Sequence, residues 1–212
     1  MNNSATISIE QITGLLLAGG RGSRMGDVDK GLQLFRGEPL AFHAMQGLSP
    51  QVGPLLISAN RNGDSYQAMG MRLARRGGTT LCADQLAGFA GPLAGLQAGL
   101  RQCNTGYLLS APCDSPFLPP DLAQRLVQAL LEQQADLAVA TTGDGDTQQV
   151  HRVFTLMKNS VLPSLDSFLA QGGRKVGAWH ASLNAVQVSF KNETAFYNIN
   201  TLEELRQLES DA

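Results

Sequence analysis

The sequence predicts an α/β fold of three layers, a mostly parallel sheet with helices on both faces, formed as one domain over residues 1–212. Three observations lead there. Short apolar runs of strand length alternate with longer amphipathic stretches, the pattern of a sheet whose strands are joined by helices. Several of those stretches begin on recognisable helix-start signals. No internal repeat or linker-like stretch divides the chain, and 212 residues are enough to bury a substantial core in one unit.

The predicted strands are Ile12 to Leu17, Leu55 to Ala59, Thr79 to Cys82, Tyr107 to Ala111, Leu137 to Thr141, Val153 to Met157 and Val186 to Phe190. Between them the helix-like stretches run Pro39 to Leu48, Ser65 to Met69, Pro92 to Gln102, Pro120 to Gln134, Ser160 to Ala170 and Thr201 to Leu208. Pro92 and Pro120 suit first helical turns, and Thr201-Leu202-Glu203-Glu204 has the spacing of a capping box. Gly143-Asp144-Gly145-Asp146 reads as a loop tip. Arg72, Arg75 and Arg76 before Gly77-Gly78 read as a basic surface loop.

Composition narrows the function classes. With 43% hydrophobic and 16% charged residues the chain is ordinary globular material, and a net charge of -2 gives no general attraction to nucleic acid or an anionic membrane. Phosphate binding therefore requires a local site. The three cysteines, Cys82, Cys103 and Cys113, are widely spaced, so neither a zinc cage nor a disulfide framework is expected. No apolar run approaches the roughly 20 residues that span a bilayer. Met1 to Glu10 also lacks the basic and apolar regions of a secretory signal, so a cytoplasmic location is expected.

In a parallel sheet, ligands bind beyond the carboxyl ends of the strands. After the first strand comes L-L-A-G-G-R-G-S-R-M-G-D-V-D-K-G, Leu16 to Gly31, with five glycines, two arginines and a lysine. Glycines let backbone N–H groups turn toward anionic oxygens, and Arg21, Arg24 and Lys30 can neutralise them. A Walker loop is excluded because Lys30 is followed by Gly31. A dinucleotide fingerprint is excluded because Gly20, Gly22 and Gly26 give G-x-G-x-x-x-G. The later strand ends add Asp84, the helix opening Gly91-Pro92-Leu93-Ala94-Gly95, and Asp114. Asp114 sits in a turn stiffened by Pro112, Pro116, Pro119 and Pro120. One carboxylate held this way suits a hard cation such as Mg²⁺, or else forms an Asx turn before Pro116. Asn198 and Asn200 share a face if their segment is extended, while Asn200 or Thr201 equally suits a helix cap. Cys113 has no adjacent histidine to act as base, and His43, His151, His180 and Trp179 read as packing or surface residues.

The run L-A-G-G-R-G-S-R-M-G-D-V-D-K-G, followed by G-E-P-L at Gly37, resembles the molybdenum cofactor guanylyltransferase branch of the nucleotidyltransferases with the sugar-nucleotide pyrophosphorylase fold. Further matches are A-N-R-N at Ala59, G-P-L-A-G at Gly91, P-C-D-S-P-F-L-P-P-D-L at Pro112 and N-I-N-T at Asn198, in one order over nearly the whole chain. The resemblance implies a Mg²⁺-dependent transfer of GMP from GTP to a molybdopterin-type acceptor. Leu17, Ala18, Gly19, Gly20, Arg24, Lys30, Ser58, Asp84 and Asp114 would meet the nucleotide, and Asp114 would also hold the metal. Lys30 and Asp114 would be catalytic, with Asn198 and Asn200 toward the metal and acceptor; Arg174 and Lys175, which follow Gly172-Gly173, suit an acceptor phosphate or equally a solvated helix start. Transient contact with molybdoenzymes or their chaperones is implied as well, but no nucleic-acid partner. Two departures stand out. Ser58 replaces the first asparagine of the usual N-A-N-R, leaving a shorter hydroxyl toward the base, and the loop from Gly70 to Thr79 is longer than the pattern leads one to expect. The rival readings are a cytidylyl or sugar-phosphate transferase of the same fold and a non-catalytic cofactor-delivery protein. Gly19 favours guanylyl over cytidylyl transfer, and the intact Lys30 and Asp114 favour catalysis over delivery.

Overall fold

The structure, a computed structural model, describes residues 6–18, 29–73, 78–82 and 91–210. Seven strands form the main sheet: β1 (Ile12–Leu17), β4 (Leu55–Ser58), β5 (Thr79–Cys82), β6 (Tyr107–Pro112), β7 (Leu137–Thr142), β8 (Gln149–Lys158) and β9 (Ala185–Phe190). A two-stranded hairpin, β2 (Leu34–Phe35) with β3 (Glu38–Pro39), stands apart from it. The helices are α1 (Leu40–Leu48), α2 (Gly63–Arg72), α3 (Pro92–Gln102), α4 (Leu122–Glu132), α5 (Leu162–Ala170), α6 (Val176–His180) and α7 (Leu202–Ser210).

Sheet order is β5-β4-β1-β6-β8-β7-β9. β5, β4, β1 and β6 run parallel, and so do β7 and β9, while β8 alone is antiparallel to its neighbours β6 and β7. Alternation along each strand feeds two cores. Ile12 and Leu16 of β1 pack with Met45, Tyr66 and Leu126 of α1, α2 and α4 on one face. Leu15 packs with Leu96, Leu165 and Trp179 of α3, α5 and α6 on the other. The predicted three layers are thus observed. Backbones approach closely where α3 crosses β1: a Cβ on Gly99 would lie 2.5 Å from Leu15 Cδ2, and one on Gly95 2.7 Å from Leu17 Cδ2.

The topology creates the crevice. From β1 the chain steps outward to β4 and β5, crossing one face by α1 and α2; α3 then returns along the opposite face to β6, on the other side of β1. Connections diverge between the carboxyl ends of β1 and β6, which is the switch point where open α/β sheets bind ligands. There Leu17 lies opposite Pro112, and the Cys113 N–H donates to the Leu17 carbonyl at 3.1 Å. A third small core of Phe35, Leu40, Ile199 and Leu205 seats α7 on the hairpin, returning the C-terminal segment to this edge.

Candidate functional site

A cavity of about 240 Å³ opens at the switch point, with Leu17, Ala18 and Ser58 at the ends of β1 and β4, Gly91 and Gly95 at the start of α3, and Lys30 and Asp114 facing one another. Five of the residues expected to meet the nucleotide (Leu17, Ala18, Lys30, Ser58 and Asp114) therefore share one wall system. Gly19, Gly20, Arg21, Arg24 and Asp84 lie outside the described residues, as do Arg75 and Arg76.

Lys30 opens a 3-10 turn, Lys30–Leu32, and its ammonium donates to Asn200 Oδ1 at 2.8 Å. It stands 3.7 Å from Asp114 Oδ2. Burial pushes the Asp114 carboxyl above its ordinary range, and the Lys30 ammonium pulls in the opposite direction. Among the described residues the nearest cation to this carboxylate, Lys30, stands beyond hydrogen-bonding distance, so its oxygens keep acceptor capacity for a ligand or ion. Beside it, burial first and the charges of Asp114 and Asp29 next push the Cys113 thiol well up. It stays protonated and packs, as its sequence context predicts.

The two asparagines divide their work. Asn198 Oδ1 accepts from the Ser115 hydroxyl at 2.6 Å, and Asn200 Nδ2 donates to the Asn198 carbonyl at 2.9 Å. The Ile199 N–H donates to the Asp114 carbonyl at 2.9 Å, stitching this segment to the turn after β6. The cap of α7 belongs to Thr201: its hydroxyl accepts from Glu204 N–H at 3.1 Å, and Glu204 Oε2 accepts from the N–H groups of Asn200 and Thr201 at 2.7 and 3.3 Å. The capping box is present, and it leaves the Asn200 amide for Lys30.

Asn198 also borders a second cavity of about 560 Å³, along with Asn200, Gln149, His151, Glu193, Thr194 and Tyr197. His151 stacks on Phe196 with centroids 4.6 Å apart and rings tilted by 17°. Arg174 lines neither cavity; its guanidinium donates to the Leu169 and Gly173 carbonyls at 3.2 and 2.6 Å, closing the end of α5. A larger cavity of about 790 Å³ lies at the opposite, amino-terminal edge of the sheet. Its lining of Ile9, Ile12, Val127 and Leu131 offers no cation for phosphate, so its size does not make it the site.

The sequence reading missed the support beneath Lys30. Asp29 is 8% exposed and accepts from the Tyr66 hydroxyl at 2.6 Å, Asn62 Nδ2 at 2.9 Å and Gly31 N–H at 3.2 Å. Its adjacency to Lys30, and the place of Asn62 at the end of A-N-R-N, were the available signals; Tyr66 carried none.

A parallel-sheet switch point that brings together a lysine, a largely buried carboxylate and two asparagines, in a chain whose sequence runs into glycines directly after β1, is the frame of a nucleotidyltransferase. The chain belongs to the MobA-like NTP transferase family, whose model matches residues 14–185. It is 51% identical over 206 residues to a molybdenum cofactor guanylyltransferase of Cupriavidus metallidurans, covering 97% of this chain and 98% of that one. A protein of the same name from Ralstonia nicotianae is 52% identical over 207 residues, covering 95% and 98%. Among solved structures, the molybdopterin-guanine dinucleotide biosynthesis protein A of Archaeoglobus fulgidus superposes with a TM-score of 0.71 at 23% identity, covering 94% and 97%. A 4-diphosphocytidyl-2C-methyl-D-erythritol synthase of Anaerococcus prevotii gives 0.75 at 11% identity, covering 95% and 98%. These two show the shared fold.

Proposed function

We propose that this chain is a molybdenum cofactor guanylyltransferase, moving GMP from GTP onto the phosphate of a molybdopterin-type acceptor with release of pyrophosphate. The observation that carries the reading is the Lys30 ammonium, set 2.8 Å from Asn200 Oδ1 and 3.7 Å from Asp114 Oδ2 where β1 and β6 end. Relatives about half identical over nearly the whole chain bear that activity in their names.

In this reading the nucleotide lies in the smaller cavity, its base toward Ser58 and the start of α3, its phosphates toward Lys30. The acceptor enters from the second cavity past Asn198, which borders both cavities, and Asn200, which borders the aromatic one and holds Lys30. An acceptor phosphate oxygen attacks the α-phosphorus, the bond to the bridging oxygen breaks, and both electrons leave on pyrophosphate. Lys30 offsets the charge that grows on that leaving group, and Asn200 holds the ammonium in place for it. Asp114, whose Oδ2 stands 3.7 Å from the Lys30 ammonium and keeps oxygen acceptor capacity, would hold a Mg²⁺. When bound, that ion supplies charge stabilisation at the phosphates. No side-chain nucleophile takes part, in keeping with the protonated Cys113. A cytoplasmic setting, and handover of product to molybdoenzymes or their chaperones, belong to the same reading.

Competition between GTP and CTP at equal concentration, with Mg²⁺ and a molybdopterin acceptor, tests it. Guanine presents two donor groups on one edge, and a site built to pair them rejects bases that leave those partners unpaired. The guanine dinucleotide should dominate, with selectivity softened by the short Ser58 hydroxyl. A product mixture dominated by cytidylyl transfer would overturn the base assignment. Binding without turnover would favour a delivery protein instead.

A further inference from the structure

We propose that Asp29 is a positioning residue: its buried carboxylate fixes the turn that aims Lys30 at Asp114, and thereby sets the rate of transfer rather than the affinity for nucleotide. The inference rests on the reading above, in which Lys30 meets the leaving phosphates.

Lys30 is a flexible side chain, and its four-carbon stem gains a defined direction only if both ends are held. Its far end is held by Asn200, whose backbone is in turn fixed by Glu204 at 2.7 Å. Its near end is held by Asp29. That carboxylate caps the 3-10 turn through Gly31 N–H, and it accepts from Tyr66 on α2 and from Asn62 just before α2. Arg61 Nε adds positive charge at 3.9 Å. Burying a carboxylate is costly unless its lone pairs are satisfied, and three donors do that here. A neutral amide in its place presents one acceptor oxygen instead of two, so it cannot serve all three.

The packing leaves the turn no slack. Tyr66 is fully buried, and burial raises its phenol well above the ordinary tyrosine range, so it stays a donor to Asp29. A Cβ on Gly31 would collide with the Tyr66 hydroxyl and lie 3.1 Å from Cys113 Sγ. Asn62 has a left-handed backbone, φ 54°, so its side chain is delivered to Asp29 by a conformation few other residues share. The network therefore ties the turn bearing Lys30 to the start of α2 on one side and to the strand end bearing Asp114 on the other.

A kinetic double-mutant cycle tests the assignment: Asp29→Asn, Lys30→Ala and the double variant, with GTP varied at saturating acceptor and folding checked by thermal melting. Asp29→Asn should lower kcat by about ten- to a hundredfold while the KM for GTP moves by less than about threefold. In the Lys30→Ala background the same change should alter kcat by less than about threefold, because its effect passes through Lys30. Tyr66→Phe should show the same pattern with a smaller loss, and its own cycle with Lys30→Ala decides the matter if Asp29→Asn does not fold. A raised KM with unchanged kcat, or a full multiplicative loss in the double variant, would overturn the positioning role. Unchanged kcat in Lys30→Ala would instead remove Lys30 from the chemistry, a failure of the reading beneath.

Discussion

Asn198 and Asn200 sit two positions apart and contribute differently, one bound to Ser115 and bordering both cavities, the other gripping Lys30. Their importance was legible from the N-I-N-T motif, but the choice between ligand and helix cap was not, because Asn200 and Thr201 both suit a cap. Only the structure assigns the cap to Thr201. Asp29 was less legible still: its partners Asn62 and Tyr66 lie 33 and 37 residues away, and although Asn62 closes the A-N-R-N run, its pairing with Asp29 and that of Tyr66 follow from packing rather than pattern. Gly95 makes a further prediction at this scale. A Cβ there would sit 2.7 Å from Leu17 Cδ2 and 2.8 Å from Ser58 Oγ, both lining the smaller cavity. Gly95→Ala should cost about 1–3 kcal/mol of stability by overpacking and raise the KM for GTP. Denaturant melts and GTP titration check it; a variant unchanged in both would contradict the close approach.

At the scale of elements, the strand ends and helix starts follow the hydrophobic periods closely, and α3 matches its expected range of Pro92 to Gln102. Strand direction was not readable at each position: nothing in the pattern of β8 shows that it runs against β6 and β7. The sequence reading also left out α6, because five residues, Val176–His180, are too few for a helical period to stand out. That helix carries a titration consequence. His180 is 6% exposed, and burial, with the Arg152 charge second, lowers its pKa from 6.5 to about 4. Between those values the unfolded chain binds a proton that the native protein does not, so stability is full above pH 6.5 and declines as pH falls toward 4. The loss attributable to this one group is of the order of 3 kcal/mol. Chemical denaturation across that range should show a flatter pH dependence for His180→Phe than for the parent protein. Parallel curves would mean that His180 is not held neutral.

For the whole molecule, topology performs what no single motif could: it returns Asn200 to Lys30 across 170 residues of chain. The sequence pointed to the correct sheet edge because ligand sites in parallel sheets follow strand carboxyl ends. It could not show that α7, seated on the β2–β3 hairpin, is what carries the asparagines home. Arg174, expected near an acceptor phosphate, instead bonds the Leu169 and Gly173 carbonyls at the end of α5, and the proposed acceptor path runs through the aromatic cavity beyond Asn198. In the proposed reaction Asp114 stands at the phosphate-transfer point. GTP labelled at its α-phosphate, supplied with Mg²⁺ and a molybdopterin acceptor, measures that directly. The parent protein should pass the label into the guanine dinucleotide in step with pyrophosphate release. Folded Asp114→Asn should do so on the order of a thousandfold more slowly, since an amide holds a hard cation weakly. Near-normal label transfer by the folded Asp114→Asn protein at limiting Mg²⁺ would contradict the account.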